Sequence, residues 1–394
     1  MARPSVPTQK PLSRWKTPRL RSASGGESVN HASWIELFFD LVFVIVIDQL
    51  SHFFSDHLSL VGFLQFAALF IPCWWAWVLF TFYVDRYDTD DVIHRSLVLT
   101  GMLAVLILSN NIHDAFGKGA AAFILSYVAI RSLVLLLYVR ASRYVEAAKA
   151  NVRLYSASYI PSVVLWIVSL ALPIELRYVV WGIAMTIELA LPVVGSRILA
   201  GTPVHPSHLP ERFGLFTLIV LGETIVSVAS ATQNTTWNLL PTLAAIGGFV
   251  TAACLWWLYF SFLESAVIIR GIRSVHVYNY GHFPILLSLG TISVGVAHTI
   301  IEVGHSTLGA TTRWALCGGV ALYILSVIAI MLVACRRHVT VLSLLVIAIA
   351  LGLAIFGGVL PPIAIEGILI AALLLKVIAD ITRPIEYVSD KPQD

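Results

Sequence analysis

Twelve apolar runs, each about 20 residues long, alternate with short polar stretches along this chain. About 20 apolar residues in a helix span the roughly 30 Å hydrocarbon core of a bilayer, whereas the strands of a membrane barrel alternate apolar and polar residues. The uninterrupted runs therefore predict an all-α polytopic membrane protein with about 12 transmembrane helices. The predicted spans are residues 34–54, 60–84, 94–112, 119–139, 156–173, 178–196, 211–231, 242–265, 279–302, 314–335, 340–358 and 361–379.

The composition excludes a water-soluble fold. Only 12% of the residues are charged and 58% are hydrophobic, whereas a soluble domain carries about 25% charged residues. In lipid, helices and closed barrels are the structures that satisfy every backbone group. The composition and the pattern of apolar runs thus both predict a helical membrane protein.

The distribution of Lys and Arg predicts the orientation. Apart from Arg131, which falls within a span, only Lys118, Arg177 and Arg313 lie on the side opposite the N-terminus. Positive residues concentrate on the cytoplasmic side, so both termini are expected there. Residues 1–30 are basic and rich in Pro and Ser, which predicts a disordered cytoplasmic tail, and residues 381–394 form a second tail.

An internal repeat is indicated by polar and aromatic residues that coincide when the sequence is shifted by about 175–185 positions. The matched pairs are Glu36/Glu211, Phe38/Phe213, Asp48/Glu223, Trp77/Trp257, His113/His298 and, at a shift of 178, Glu188/Glu366. We interpret residues 31–200 and 201–380 as two six-helix repeats. Because six is even, both would enter the membrane from the same side, a plan found in transporters.

Acidic and polar residues within the spans are the candidates for function, since an ionised side chain at mid-membrane costs about 2.5–3.5 kcal/mol. Phe43 and Ile47 continue the helix face of the first acids and are predicted to form an apolar constriction. The candidate ion or proton pathway comprises Glu36, Asp40, Asp48, Gln49, His113, Glu188, Glu211, Glu223 and His298.

Several of these residues have structural alternatives. Ser33 and Glu36 have the spacing of a capping box at a helix start. Asp40 either belongs to a polar pathway or forms a structural salt bridge, for which Arg86 and Arg95 are the candidate partners. The matched acids Asp48 and Glu223 and the matched histidines His113 and His298 suggest a carboxylate–histidine pair in each repeat. Such pairs suit proton relay, but they also join helices without any transport role.

A cytoplasmic loop collects four acids in seven residues. Hard oxygen ligands of this kind could hold Mg²⁺, or a lipid diphosphate through Mg²⁺; the alternative is a solvated loop paired with nearby arginines. The residues concerned are Asp85, Arg86, Asp88, Asp90, Asp91 and Arg95. His205, His208 and Glu211 have mixed spacing, which makes a poor zinc site, and no metal is assigned.

Four sequence motifs resemble those of the bacterial low temperature requirement A (LtrA) membrane protein family. They are Trp34-Ile-Glu-Leu-Phe-Phe-Asp-Leu-Val-Phe-Val with Gln49-Leu-Ser-His, Trp74-Trp-Ala-Trp, Asp85-Arg-Tyr-Asp-Thr-Asp-Asp91, and His208-Leu-Pro-Glu-Arg-Phe-Gly-Leu-Phe with Leu221-Gly-Glu-Thr. The resemblance implies a polytopic protein of the bacterial inner membrane, in a family named for a growth phenotype. More remotely, Phe38-Phe39-Asp40 resembles the F-S-D motif of two-repeat cation channels.

These observations favour a cation- or proton-linked transporter or channel with a pathway lined by the first and seventh spans. The alternatives are a membrane-embedded lipid or lipid-carrier binding protein or enzyme that uses the loop 85–91, and a non-catalytic membrane stress-adaptation protein. The sequence contains no Walker loop, dinucleotide fingerprint or nucleophile elbow, so we expect no cofactor and favour a non-enzyme. The expected partners are membrane lipids and a small ion or solute, not nucleic acid, and homo-oligomerisation stays open.

Overall fold

The computed structural model describes residues 15–21, 32–233, 235, 238–261, 271–334 and 340–382. In these ranges, twelve helical segments are long and apolar enough to cross a membrane. The prediction of an all-α polytopic membrane protein is therefore confirmed. The bounds differ from the predicted spans by a few residues at most ends, because capping and loop contacts, and not hydropathy alone, decide where a helix stops.

The chain divides by packing into two units. The first comprises Met1–Phe53, Leu64–Phe216 and Ile269–Asn279, and the second comprises Phe54–Phe63, Thr217–Ile268 and Tyr280–Asp394. This division does not follow the predicted repeat boundary near residue 200, because the first turns of the helices that begin at His208 and Gly271 belong to the first unit. The two six-helix repeats therefore stay a prediction.

Helices α1–α7 and the start of α8 provide most of the first unit. Helices α3, α4, α5 and α6 pack in sequence order, each against the next. The bounds are α1 Trp34–Asp56, α2 Leu60–Arg86, α3 Val92–Ser109, α4 Ala120–Ser142, α5 Glu146–Ser169, α6 Ile174–Val194, the short α7 Ser196–Leu199, and α8 His208–Gln233.

The second unit is built from the later helices, among which α14 packs against α9 and α13. A π-helical turn, Trp314–Gly318, joins α11 to α12, and the 3₁₀ turn Gly357–Val359 follows α13. The helix bounds are α9 Leu239–Tyr259, α10 Gly271–Glu302, α11 Ala310–Arg313, α12 Gly319–Ala334, α13 Val341–Phe356 and α14 Pro362–Thr382.

Part of the predicted disordered tail is structured. Strand β1, Arg19–Leu20, pairs antiparallel with strand β2, Tyr87–Asp88, directly after α2. The Lys16 backbone N–H donates to Asp91 Oδ2 at 2.8 Å. Residues 15–21 are thus fixed by backbone hydrogen bonds, which composition alone does not reveal. The rest of the predicted tail, residues 1–14 and 22–30, and the C-terminal residues 383–394 lie outside the described residues.

Candidate functional site

The first unit contains a buried polar network formed by three helices. Each helix contributes two residues spaced by one or two turns, so that both side chains of a pair lie on one face. We call this set the first-unit network; it comprises Glu36 and Asp40 of α1, Trp77 and Asp85 of α2, and His208 and Arg212 of α8.

His208 bridges two carboxylates. Its Nε2 lies 3.0 Å from Glu36 Oε2 and its Nδ1 lies 3.1 Å from Asp85 Oδ1. The His208 side chain is fully buried, and the second oxygen of Asp85 accepts a hydrogen bond of 2.8 Å from the His205 backbone N–H. Both ring nitrogens of one imidazole are therefore hydrogen-bonded to acids of different helices.

The two hydrogen bonds of His208 determine how many protons His208 and its two acidic partners must hold together. A neutral imidazole carries one N–H, and an ionised carboxylate donates none. Two hydrogen bonds, one at each ring nitrogen, need two protons. Glu36, His208 and Asp85, which we call the triad, make both hydrogen bonds only when they hold one proton more than a neutral histidine between two carboxylates does.

Asp40 pairs with Arg212. Its Oδ1 accepts hydrogen bonds of 2.7 Å from Arg212 Nη2 and of 2.7 Å from Trp77 Nε1. The structural salt bridge weighed for Asp40 thus exists, but its partner is neither Arg86 nor Arg95. Asp40 Oδ2 and Arg212 Nε and Nη1 have no hydrogen-bond partner among the described residues, so the network keeps unused hydrogen-bonding capacity.

Both carboxyl oxygens of Glu36 have a partner. Its Oε1 accepts a hydrogen bond of 2.9 Å from Ser33 Oγ, and its Oε2 faces His208. A capping box instead joins each side chain to the backbone N–H of the other residue, so Ser33 and Glu36 do not form the predicted capping box. Arg212 Nε and Arg21 Nη2 each lie 3.9 Å from this carboxylate. The helix-start acid is therefore also part of the network.

A layer of aromatic rings adjoins the network at Trp77. The Trp77 ring stacks on Phe216 with centroids 4.2 Å apart, and Phe216 also contacts Phe43 at 6.0 Å. Phe39 and Phe80 pack at 3.9 Å. Phe43 and Ile47, the predicted constriction, are both buried. Close aromatic packing leaves this part of the first unit closed.

The remaining candidates on α1 do not form the predicted pair. Asp48 accepts a hydrogen bond of 3.1 Å from Gln49 Nε2, and its Oδ1 lies 3.4 Å from His52 Nδ1. His113 lies in an exposed turn after α3 ends at Ser109. The predicted carboxylate–histidine pair of Asp48 and His113 is therefore wrong, because Asp48 is bound to residues of its own helix and His113 lies beyond the end of α3.

The second predicted carboxylate–histidine pair is also absent from the second unit. His298 Nε2 is hydrogen-bonded to Ser55 Oγ at 2.9 Å. Glu223 is buried and accepts a hydrogen bond from Ser227 Oγ at 3.3 Å. In the first unit, Glu211 Oε1 lies 3.5 Å from the Ala32 backbone N. These polar residues each bind neighbours that the sequence spacing did not indicate.

Glu188 joins three helices of the first unit. It accepts hydrogen bonds from Arg131 Nε of α4 at 2.7 Å, from Tyr127 of α4 at 2.9 Å and from Ser162 of α5. Its predicted equivalence with Glu366 is wrong, because Glu188 is the fifteenth residue of α6 and Glu366 the fifth of α14. The feature of the sequence that could have indicated this partner of Glu188 is the position of Arg131, a basic residue within a predicted span.

The acids of the loop diverge to separate partners. Asp88 binds Lys16, Asp90 binds Arg95 through two hydrogen bonds, and Asp91 binds Arg140 and caps α3 through the His94 backbone N–H. Arg86 instead donates to the carbonyl oxygens of Thr202 and Phe82. No cluster of three metal-binding side chains occurs in the described part of the chain, so the geometry favours the paired-loop alternative over Mg²⁺ binding.

Hydrogen bonds keep two of these loop acids ionised. The hydrogen bonds from Arg95 lower the pKa of Asp90. Burial alone would raise the pKa of Asp91, but hydrogen bonds from the backbone N–H groups of Lys16 and His94 and from Arg140 hold it below its ordinary value. Both carboxylates therefore act as fixed anions that position the loop.

Comparison with known proteins identifies a family and a relative. A model of the bacterial low temperature requirement A protein (LtrA) matches residues 31–378. An uncharacterised protein of Rhizobium meliloti (strain 1021) is 29% identical over 286 residues, which cover 67% of this chain and 68% of that protein.

Proposed function

Because this chain belongs to the bacterial low temperature requirement A (LtrA) family and has twelve apolar helices in its described part, we propose that it is a proton-linked transporter or channel of the bacterial inner membrane. The first-unit network is its proton-binding site and gate. The observation that carries the proposal is the double hydrogen bonding of His208, which gives the triad one exchangeable proton.

Loss of that proton has a mechanical consequence. One of the two contacts of His208 would then place a ring lone pair against a carboxylate oxygen, and two acceptors at about 3 Å repel each other. Glu36, Asp85 and His208 belong to three different helices. Deprotonation therefore pushes the ends of α1, α2 and α8 apart, while protonation holds them together.

The Asp40–Arg212 pair and the aromatic layer complete the gate. Arg212 lies one turn from His208 on α8, and Asp40 lies one turn from Glu36 on α1, so separation of the triad also strains this ion pair. Trp77 donates to Asp40 and stacks on Phe216. A movement of the triad would therefore shift the Trp77 ring, which closes the aromatic layer. With both termini in the cytoplasm, as the loop charges predict, the triad would exchange protons with that side.

The test is proton flux in liposomes that contain the purified full-length protein and a trapped pH-sensitive dye. A potassium diffusion potential drives protons inward, and dye fluorescence reports their entry. We expect flux with the natural protein and a fall to the level of protein-free liposomes with His208→Gln, because an amide cannot take up the extra proton. His52→Gln is the matched control, since His52 is an exposed histidine of α1 that lies outside the network.

Folding of each variant is checked by size-exclusion chromatography and circular dichroism before reconstitution. Glu36→Gln provides a second probe, because it keeps the size of the side chain but removes one acid of the triad. The proposal fails when the natural protein gives no more flux than protein-free liposomes. It also fails when His208→Gln and Glu36→Gln, both folded, conduct protons as well as the natural protein.

A further inference from the structure

Glu366 is a buried acid outside the first-unit network. It is the fifth residue of α14, in the second unit, and is 1% exposed. Neither of its carboxyl oxygens has a hydrogen-bond partner among the residues that the structure describes. An ionised carboxylate without a partner is very costly away from water, and such a group binds a proton instead.

The neighbouring helix is shaped to accept this side chain. A Cβ atom added to Gly247 of α9 would lie 2.6 Å from both Cδ and Oε1 of Glu366. The carboxyl group therefore packs directly on the α9 backbone, in space that only glycine leaves free. Thr251, one turn further along the same face of α9, is also buried, and its hydroxyl has no described partner.

Charged groups on the packed elements are distant or already bonded. On α14 itself, Lys376 binds Asp380, and Lys376 is ten residues, about 15 Å along the helix, from Glu366. Helix α13 contains no ionisable residue. Arg313, the last residue of α11, donates to the carbonyl oxygens of Leu308 and of Ala354, the latter on α13.

The ionisable residues of α9 are also far from Glu366 along that helix. They are Cys254, seven residues or about 10 Å from Gly247, and Tyr259, twelve residues or about 18 Å away. The Tyr259 hydroxyl is hydrogen-bonded to His282. The described surroundings of Glu366 thus supply no counter-charge.

We propose that Glu366 is a proton-binding site, at which one carboxyl group binds and releases a single proton within the second unit. A proton is favoured over a metal cation because Ca²⁺ and similar ions need about six or more oxygen ligands, whereas no described oxygen atom is a hydrogen-bond partner of Glu366 and the buried hydroxyl on the same face of α9 is that of Thr251. The site lies on other helices than the triad and does not depend on the gate proposed above.

Infrared spectroscopy of the full-length protein in membranes tests the proposal, since a protonated carboxyl group has a C=O band that a carboxylate lacks. We expect a band at neutral pH that is absent from Glu366→Gln and that converts to a carboxylate band when the pH is raised. Glu188→Gln is the matched control: Glu188 is equally buried but bound to Arg131, so its replacement should remove no protonated-carboxyl band.

Three results would overturn the proposal. The first is identical carboxyl bands in the natural protein and Glu366→Gln. The second is a band that persists unchanged in strongly alkaline buffer, which would make Glu366 a permanently neutral packing residue. The third is a band that sodium ions remove at constant pH, which would indicate a metal-cation site. Proton flux is not part of this measurement, so failure of the gate and failure of this site are distinguishable.

Discussion

Glu188 in the first unit and Glu366 in the second are both buried acids of apolar helices, 2% and 1% exposed. Glu188 accepts hydrogen bonds from Arg131, Tyr127 and Ser162, whereas Glu366 has no described partner and rests on Gly247. The two acids are thus equally buried, but one has several hydrogen-bond donors around it and the other has no described partner. The charge of a membrane acid depends on its partner, because burial penalises the ionised form in both cases.

Glu188→Gln should have the largest effect on stability. It leaves the Arg131 guanidinium buried without a counter-charge, so we expect the free energy of unfolding to fall by about 3–5 kcal/mol. Denaturation of the purified protein in mixed micelles measures this change. The control is Arg131→Met combined with Glu188→Leu, which removes both charges and should restore much of the loss. A stable single variant would show that the pair contributes little.

Gly247→Ala should have an intermediate effect. The new methyl group would overlap the Glu366 carboxyl, which can move aside, so we expect a loss of about 1 kcal/mol, at the low end for overpacking. Gly182→Ala in α6 is the matched control, since a Cβ there meets no atom within 4 Å and alanine favours a helix. In a Glu366→Ala background, which lacks the carboxyl group, adding Gly247→Ala should cause no further loss; a further loss would mean that another group causes it.

Glu366→Gln should have the smallest effect on stability, well under about 1 kcal/mol, because it exchanges one neutral hydrogen-bonding group for another of similar size. The same denaturation assay, at neutral pH, compares it with Glu188→Gln. A loss as large as that of Glu188→Gln would mean that Glu366 is ionised and paired, and the contrast between the two acids would disappear.

The fold was largely predictable from sequence, because hydropathy over about 20 residues is a local property. Helix ends were less predictable: the third span was predicted over residues 94–112 but α3 is Val92–Ser109, and the fifth was predicted from residue 156 but α5 begins at Glu146. The spacing of Glu36 and Asp40 correctly placed them on one face. Their partners on α8 were missed, because they lie 172 residues away in sequence.

The partners of the site residues were not predictable from the sequence. His208 and Arg212 are one turn apart at the start of α8, within a motif that the family resemblance singled out, and that spacing was the available signal. It does not say which acids they meet. The divergence of the loop acids to Lys16, Arg95 and Arg140 likewise depends on the folded chain. Which residues pair depends on the tertiary structure, whereas the face of a helix on which a residue lies follows from its local spacing in the sequence.

The pairing of β1 with β2 has a consequence for synthesis of the protein. Residues 19–20 leave the ribosome before α1 and α2, but their partner strand follows α2. The segment that precedes the first membrane helix therefore reaches its final position only after two helices have been made. At this end of the chain, β1 is therefore synthesised before α1 and α2 but is placed after them.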